Sequence, residues 1–522
     1  MRVEDATLDD LGAVLAAGRM TASGLAAAAL ARIAAIDHAG PALNAVRQAN
    51  PDALAIAAAI DAGRPEKRRP LEGVPILVKD NIATADGQQT TAGSLALAEA
   101  GANRDATVVA LLRQAGAVIL GKTNLTEFAN ILAVGMPAGY SSLGGQVKNP
   151  YCLLLDENGV PLFPPGGSSS GSAVAVAAGY VAAAIGTETS GSLLSPANQN
   201  GVVTVKPTVG LISRAGIIPI AASQDTAGPL TRSVRDAAIL LNVLAAPDPL
   251  DSATAALERP ADYTAFLDKA GLKGARIGVP SDPADPGNDV YYGPLPPPAA
   301  RVMERAIQAI EELGATIVRA NMPTRGWLGG PGTEMAILNR NRWSPEYNQR
   351  SRLPIVFVYE LKAGLGAYLR DWATNTEMRE IADIIRFNEA NAGRALRFGQ
   401  DVFLAAEETR GDLSEIEYKA ARAMDLESAR RLGLDAYLDR HRLDAVLFPA
   451  NTGAAIAAKA GYPSVQVPAG FIALGDGVEI PYGATFAGRA WSEPTLLRLA
   501  YAFEQATKAR RPPPGLEARG TI

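Results

Sequence analysis

"GGSSSGSAVAVAAGYVAAAIGTETSGSLLSPA" runs from Gly166 to Ala197. Glycine, serine and alanine dominate it, as they would a linker, yet its centre is a long apolar run. A linker would not bury alanines and valines, and an ordinary core segment would not collect so many hydroxyls. "SAVAVAAGYV" (Ser172–Val181) reads as a helix of small residues, able to lie close to neighbouring backbone. The glycines of "GGSSSG" before it permit a tight turn and leave N–H groups free at the helix start, where negative charge is favoured. "AAAIGTETSGSLLSPA" then reads as a short strand and a second glycine-containing turn. Its "TSGS" (Thr189–Ser192) is able to aim consecutive N–H groups at one point, the geometry an oxyanion needs. A phosphate-binding loop is the rival reading. Against it, "GGSSSGS" lacks the closing Lys-Ser/Thr of a P-loop, and no dinucleotide fingerprint follows.

A nucleophilic serine needs a base, and the chain has only two histidines. His38, in "AAIDHAGPALNA", reads as a helix end, and His441 sits just before a β-like run. Both read as ordinary surface or half-buried side chains. Lys79, in "GVPILVKDN", stands at the end of an apolar strand. A desolvated lysine has a lowered pKa and holds a free amine near neutral pH. A snorkelling lysine, or one paired with Asp80, is the equal alternative at this point.

The whole chain sets the frame for these turns. Its 522 residues permit two to four average domains or one large α/β unit. Hydrophobic residues make up 48% and charged residues 20%, the balance of a soluble globular protein with a large core. A net charge of −5 advertises no basic surface for nucleic acid or anionic membrane. The single cysteine, Cys152, excludes a disulfide framework and reads as a small buried hydrophobe. No Cys/His cluster has metal-site spacing. The opening "MRVEDATLDDLGAVLAAG" lacks a secretory pattern, and the alanine-rich runs are too short to span a bilayer, so the expected location is cytoplasmic.

Residues 6–68 read as helix, with Thr7 and Thr21 as caps. "GVPILVKDNI" reads as a buried strand, and "DATVVALLRQAGAVILGKTNL" as a helix, a turn and a strand. "ARIGVPSD", a helix from Pro297 to Leu313 and "GATIVRANMP" form another strand–helix–strand unit. "LDAVLFPAN" and "PSVQVPAGFI" supply further strands. Such alternation indicates an α/β sheet covered by helices on both faces. Residues 321–440 hold three of the four tryptophans and much helix-period sequence, and read as a mostly helical insertion over one sheet edge. "ADPGNDVYYGPLPPPAA" is a proline-rich loop, long enough to be functional or mobile.

Taken together, these motifs resemble the amidase signature family, the Ser–cis-Ser–Lys amide hydrolases. The resemblance rests on "GVPILVKDNI", "GKTNLTEFAN", "GGQVKNPY", "PGGSSSGSAVAVAAG", "IGTETSGSLLSPANQNGVVTVKPTVGLISRAG" and "SQDTAGPLTRSVRDAA". "AGYPSVQVPAGFI" and "FAGRAWSEPTLLRLAYAFEQAT" extend it towards the C-terminus, and the wording is nearest to bacterial peptide amidases and aryl acylamidases. It implies one domain over 1–522, with a large mixed, mostly parallel central sheet. Within it fall N-terminal helices (1–68), a core with the triad (69–320), a helical insertion covering the substrate site (321–440) and a C-terminal return to the sheet (441–515).

The resemblance assigns Lys79 as base, Ser168 as the bridging serine after a cis peptide, and Ser192 as nucleophile, twenty-four positions on. Thr189, Ser190, Gly191 and Ser192 match the oxyanion loop; Ser169, Thr187, Gln224 and Asp225 match supporting positions. Neutral Lys79 would relay a proton through Ser168 and let Ser192 attack a carbonyl, with no metal or cofactor. Two departures stand out: Ser170 and Ser190 occupy positions where relatives often have glycine, and Leu194 stands where many have arginine. Leucine cannot hold a carboxylate, which favours a neutral apolar or aryl amide, although plain packing explains Leu194 as well. Tyr140, Trp327, Trp343, Tyr359 and Phe387 are candidate pocket residues. The implied partner is a small amide or carbamate substrate, with a monomer or homodimer as the assembly and neither nucleic acid nor membrane as a partner. The alternatives are carbamate or ester hydrolysis by the same triad, the glutaminase-like subunit of an amidotransferase, and a non-catalytic binding protein.

Overall fold

The computed structural model describes residues 5–63, 68–255, 259–322, 355–475 and 477–516. Helix α1 (Leu8–Ala16) starts where expected: the Thr7 hydroxyl accepts the Asp10 N–H at 3.1 Å, and Asp10 returns a bond to the Thr7 N–H at 3.0 Å. Helix α2 (Ala22–Ile36) is capped by the Thr21 hydroxyl, which accepts the Gly24 N–H at 3.0 Å.

The N-terminal segment is not helix throughout. Between α2 and α3 (Ala53–Ala62) lies an edge strand, β1 (Val46–Ala49). Asp37, just past α2, accepts the N–H groups of Ala45 and Val46 at 2.6 and 2.9 Å. The chain is thereby turned out of the helix and into antiparallel pairing with a strand about seventy positions later.

Ten further strands join its sheet: β2 (Pro75–Lys79), β3 (Val118–Thr123), β4 (Ala183–Glu188), β5 (Val203–Lys206), β6 (Thr226–Thr231), β7 (Arg276–Val279), β8 (Thr316–Arg319), β9 (Ala445–Pro449), β10 (Ser464–Gly475) and β11 (Val478–Ala487). With β1 they form one mixed eleven-stranded sheet in the order β1-β3-β2-β4-β6-β5-β10-β11-β9-β7-β8. Parallel pairing resides in two blocks, β3–β2–β4 and β9–β7–β8. The strands between them, and the β1 edge, pair antiparallel. Every residue of β2, β3, β4 and β9 is buried, as strands covered on both faces require.

Helices α4 (Thr107–Gln114), α5 (Ser170–Ala177), α6 (Leu194–Gln199), α7 (Val234–Leu244), α8 (Pro297–Glu312) and α9 (Ile355–Asp371) complete the frame. Ile76 and Val78 of β2 join the cluster formed with α4, α7, α8 and α9, whereas Leu77 joins the cluster formed with α2, α3 and α5. Side chains alternate across a strand, so Lys79 shares the face of Leu77 and is directed towards α5.

Helix α5 is buried at all eight positions. A Cβ on Gly171 would stand 2.2 Å from the Ala45 carbonyl oxygen and 2.5 Å from that of Asn124, so no larger residue fits. The proline-rich loop is anchored at its aromatic pair: Tyr292 donates to the Leu447 carbonyl at 2.9 Å, and the Tyr291 ring meets Phe448 at 4.8 Å. Cys152 is buried and unpaired by any disulfide. Among the described residues no helix is long and apolar enough to cross a membrane.

Candidate active site

Lys79, the last residue of β2, is fully buried. Its Nζ lies 2.7 Å from Ser168 Oγ and 2.9 Å from Thr187 Oγ1, within hydrogen-bonding distance of both. Burial pushes the ammonium pKa down to about 7, against the opposing pull of the Asp225 and Glu188 carboxylates. Ser168 follows Gly167 through a cis peptide, and its carbonyl accepts the Thr126 N–H at 3.1 Å.

Ser169 ties the two serine turns to one another. Its N–H donates to the Ser192 carbonyl at 3.2 Å, and its hydroxyl donates to the Thr187 carbonyl at 2.9 Å. Ser170 turns its hydroxyl back onto the Gly166 carbonyl. The start of α5, the end of β4 and the second turn therefore meet at one serine.

The second turn leaves β4 at Glu188 and enters α6 at Leu194. Gly191 has a φ of +87°, a left-handed conformation that favours glycine. Ser190 is half-buried, and Ser192 is buried at 8% exposure. Thr189 donates its hydroxyl to Asp225 at 2.5 Å, and the other oxygen of Asp225 accepts the N–H groups of Ile220 and Ala221, each at 3.0 Å. Burial raises the Asp225 carboxyl to about 6.

Four assigned residues thus converge through direct bonds: Lys79, Ser168, Ser169 and Thr187. Thr189 and Asp225 form an adjoining pair. Gln224 is buried next to them, but its side-chain nitrogen finds no hydrogen-bond partner among the described residues. Leu194 is fully buried at the start of α6.

Two residues at this site escaped the sequence reading. Asn81 donates to Thr187 Oγ1 at 3.0 Å, the same oxygen that Lys79 reaches. Glu188 accepts the N–H groups of Leu193 and Leu194 at 2.7 and 3.0 Å, fastening the start of α6 to the end of β4. Glu188 did carry a signal, since it is the one charged residue within "GTETSGS".

A cavity of about 310 Å³ opens beside Thr187, Thr189 and Asp225. One wall is Ile217, Ile218, Pro219, Ile220 and Leu250; the other is α9, through Gly364, Ala367 and Tyr368, with Trp372 just past its end. Arg214 also lines it, but its guanidinium is paired with Asp251 at 2.5 Å. Tyr140 packs edge-on against Phe398 at 4.9 Å, Tyr359 meets Tyr418 at 6.0 Å, and Phe387 packs half-buried on the core. None of these three lines the cavity, and Trp327 and Trp343 lie outside the described residues.

Comparison with known proteins gives the family of the chain. The amidase family pattern matches residues 27–497. The peptide amidase of Stenotrophomonas maltophilia superposes with a TM-score of 0.84 at 42% identity, over 98% of each chain. A probable amidase of Arabidopsis thaliana is 37% identical over 520 residues, covering 98% of this chain and 92% of its own length. From Symbiobacterium thermophilum, a glutamyl-tRNA(Gln) amidotransferase component is 33% identical over 526 residues, covering 98% of both. A family match that spans nearly the whole chain, together with relatives alike from end to end, makes this protein a member of the amidase signature family.

Proposed function

We propose that the protein hydrolyses linear amide bonds through an acyl-enzyme on Ser192, with Ser168 as proton relay and neutral Lys79 as base. The observation that carries this reading is the 2.7 Å contact between a fully buried Lys79 amine and the Ser168 hydroxyl. A lysine held near a pKa of about 7 is half deprotonated at neutral pH and presents a lone pair to that hydroxyl.

Ser168 gives its proton to Lys79 Nζ as it takes the Ser192 proton, and Ser192 Oγ bonds to the substrate carbonyl carbon. The N–H groups of the 189–192 turn hold the oxyanion; one such donor is worth about 3 kcal/mol of barrier. Collapse breaks the C–N bond, and the proton returns from Lys79 through Ser168 to the departing nitrogen. Water then gives its proton to the same relay, attacks the acyl carbon and releases the acid, and Ser192 recovers its hydrogen.

The cavity supports one class of substrate. Its isoleucines, Leu250, Tyr368 and Trp372 favour an apolar or aromatic group, and Arg214 is already neutralised by Asp251. Neutral amides are therefore preferred over those bearing a carboxylate. Likeness to a peptide amidase places peptide C-terminal amides first among the candidates to try. Likeness to amidotransferase components favours ammonia release from glutamine as a second reading, against which the apolar lining weighs.

Intact-mass analysis after treatment with a fluorophosphonate tests the reading. One adduct on the parent, and none on Ser192→Ala, is expected; an unlabelled parent overturns it. Turnover of peptide amides, acyl anilides and aryl carbamates, compared side by side, then ranks the substrates.

A further inference from the structure

The turn that carries Asp225 is held by a carboxylate from a distant helix. Asp225 binds the N–H groups of Ile220 and Ala221, while the Ala221 carbonyl accepts the N–H groups of Gln224 and Asp225 at 2.9 and 2.8 Å. These bonds close the turn upon itself and leave the Ser223 N–H to bond elsewhere. That N–H donates to Glu360 Oε2, on α9, at 2.8 Å. Glu360 is 5% exposed, and its other oxygen accepts the Tyr418 hydroxyl at 2.8 Å.

A second clamp lies alongside. Arg422 reaches the Ser223 carbonyl at 3.5 Å and the Lys459 carbonyl at 3.1 Å. Lys459 belongs to the helix Ala454–Ala460, whose first residue neighbours the oxyanion turn: a Cβ built on Gly191 would lie 3.6 Å from Ala454 Cβ. The turn is also gripped from its other side, where Arg214 donates to the Ala222 carbonyl.

We infer that Glu360 is a positioning residue for the oxyanion turn, acting through the Ser223 N–H, Asp225 and the Thr189 hydroxyl. The inference rests on the proposed hydrolase mechanism. A buried carboxylate is costly unless hydrogen-bonded, and this one uses its two oxygens on a backbone N–H and a tyrosine hydroxyl. Both of its bonds fix a place in space: one fixes Ser223, the other fixes α9 to the helix Ile416–Leu426. Glu360 lies outside every serine- and lysine-bearing motif of the site, on the segment that also supplies a cavity wall.

The experiment measures an acyl p-nitroanilide with Glu360→Ala, Glu360→Gln and Tyr418→Phe, each with its thermal midpoint and its rate of Ser192 labelling by a fluorophosphonate. Glutamine retains an oxygen for the Ser223 N–H and an amide for the Tyr418 oxygen. Expected are a roughly tenfold or larger fall in kcat for Glu360→Ala, KM within about twofold, slower labelling, and recovery to within about threefold of the parent in Glu360→Gln. Tyr418→Phe is expected to lose less than Glu360→Ala and to keep KM. Should Glu360→Ala fail to fold, Tyr418→Phe and Glu360→Gln decide: parent-like kcat and labelling in Glu360→Gln with a lowered kcat in Tyr418→Phe upholds the role. Folded Glu360→Ala with parent kcat and labelling overturns it, as does an equal loss of roughly tenfold in Glu360→Gln. An unlabelled, inactive parent instead refutes the hydrolase mechanism itself, an outcome separate from either.

Discussion

Lys79 is the residue on which the pH behaviour turns. Its ordinary pKa of 10.5 falls to about 7 because the fold removes water from the amine more effectively than Asp225 and Glu188 restore its charge. In the proposed role the neutral amine is the active form, so kcat/KM for a neutral amide is expected to rise as pH passes upward through about 7. The Asp225 carboxyl, raised to about 6, gains a proton below that value and steepens the acid limb. A pH–rate profile checks this; activity flat from about pH 5 to 8 would refute neutral Lys79 as base. The same burial makes Lys79 a burden on the fold. The unfolded chain holds this proton more tightly between about pH 7 and 10.5, so stability rises with pH across that window, and the cost is full at and below about 7. Lys79→Met is therefore expected to abolish turnover while raising stability at neutral pH by about 1 kcal/mol, an advantage that fades as the solution becomes alkaline. Paired urea melts of parent and variant at neutral and alkaline pH measure it.

At the scale of elements, the narrowness of α5 lets the two serines that lead into it, Ser168 and Ser169, reach Lys79 and the Ser192 carbonyl. Gly171→Ala would push a methyl into two backbone oxygens that belong to different segments and cannot both yield. Expected is loss of soluble protein, or a fall of several degrees in the thermal midpoint; a midpoint within about 2 °C of the parent would show that the packing gives way cheaply. Much of this was legible. Glycines and serines flanking a run of alanine and valine announce a helix that must approach backbone closely, and Thr7 and Thr21 announce their caps. Strand β1 was not legible, because "VRQA" has no period of its own and pairs only once Asp37 has turned the chain and β3 is in place. The site divides in the same way. Lys79, Ser168 and Ser192 were picked out through the family resemblance of their motifs, whereas Glu188, though a lone charge among hydroxyls, was passed over. Tyr368, Trp372 and Glu360 reach the site from α9 and its end by tertiary packing, which no local pattern encodes.

Across the whole molecule, helix α2 and the described residues 511–516 meet near α5. Arg32 of α2 donates to the Ala178 carbonyl at 2.9 Å and to the Leu516 carbonyl at 2.6 Å. Tyr151 donates to the Arg511 carbonyl at 2.6 Å, and the Arg511 guanidinium lies 3.8 Å from the centre of the Phe471 ring. Deleting residues from Arg511 onward is expected to lower the thermal midpoint by several degrees while leaving kcat/KM of the folded protein within about twofold. An unchanged midpoint would show that the tail contributes nothing to holding these elements together. The cavity, too, has a whole-molecule meaning. One wall belongs to the stretch that builds the chemistry, and the other is donated by a helix more than a hundred positions further along. On the proposed mechanism, exchanging Ala367, Tyr368 and Trp372 would change which amides fit while Lys79 and the two serines stay as they are, so long as Glu360 on the same helix is kept.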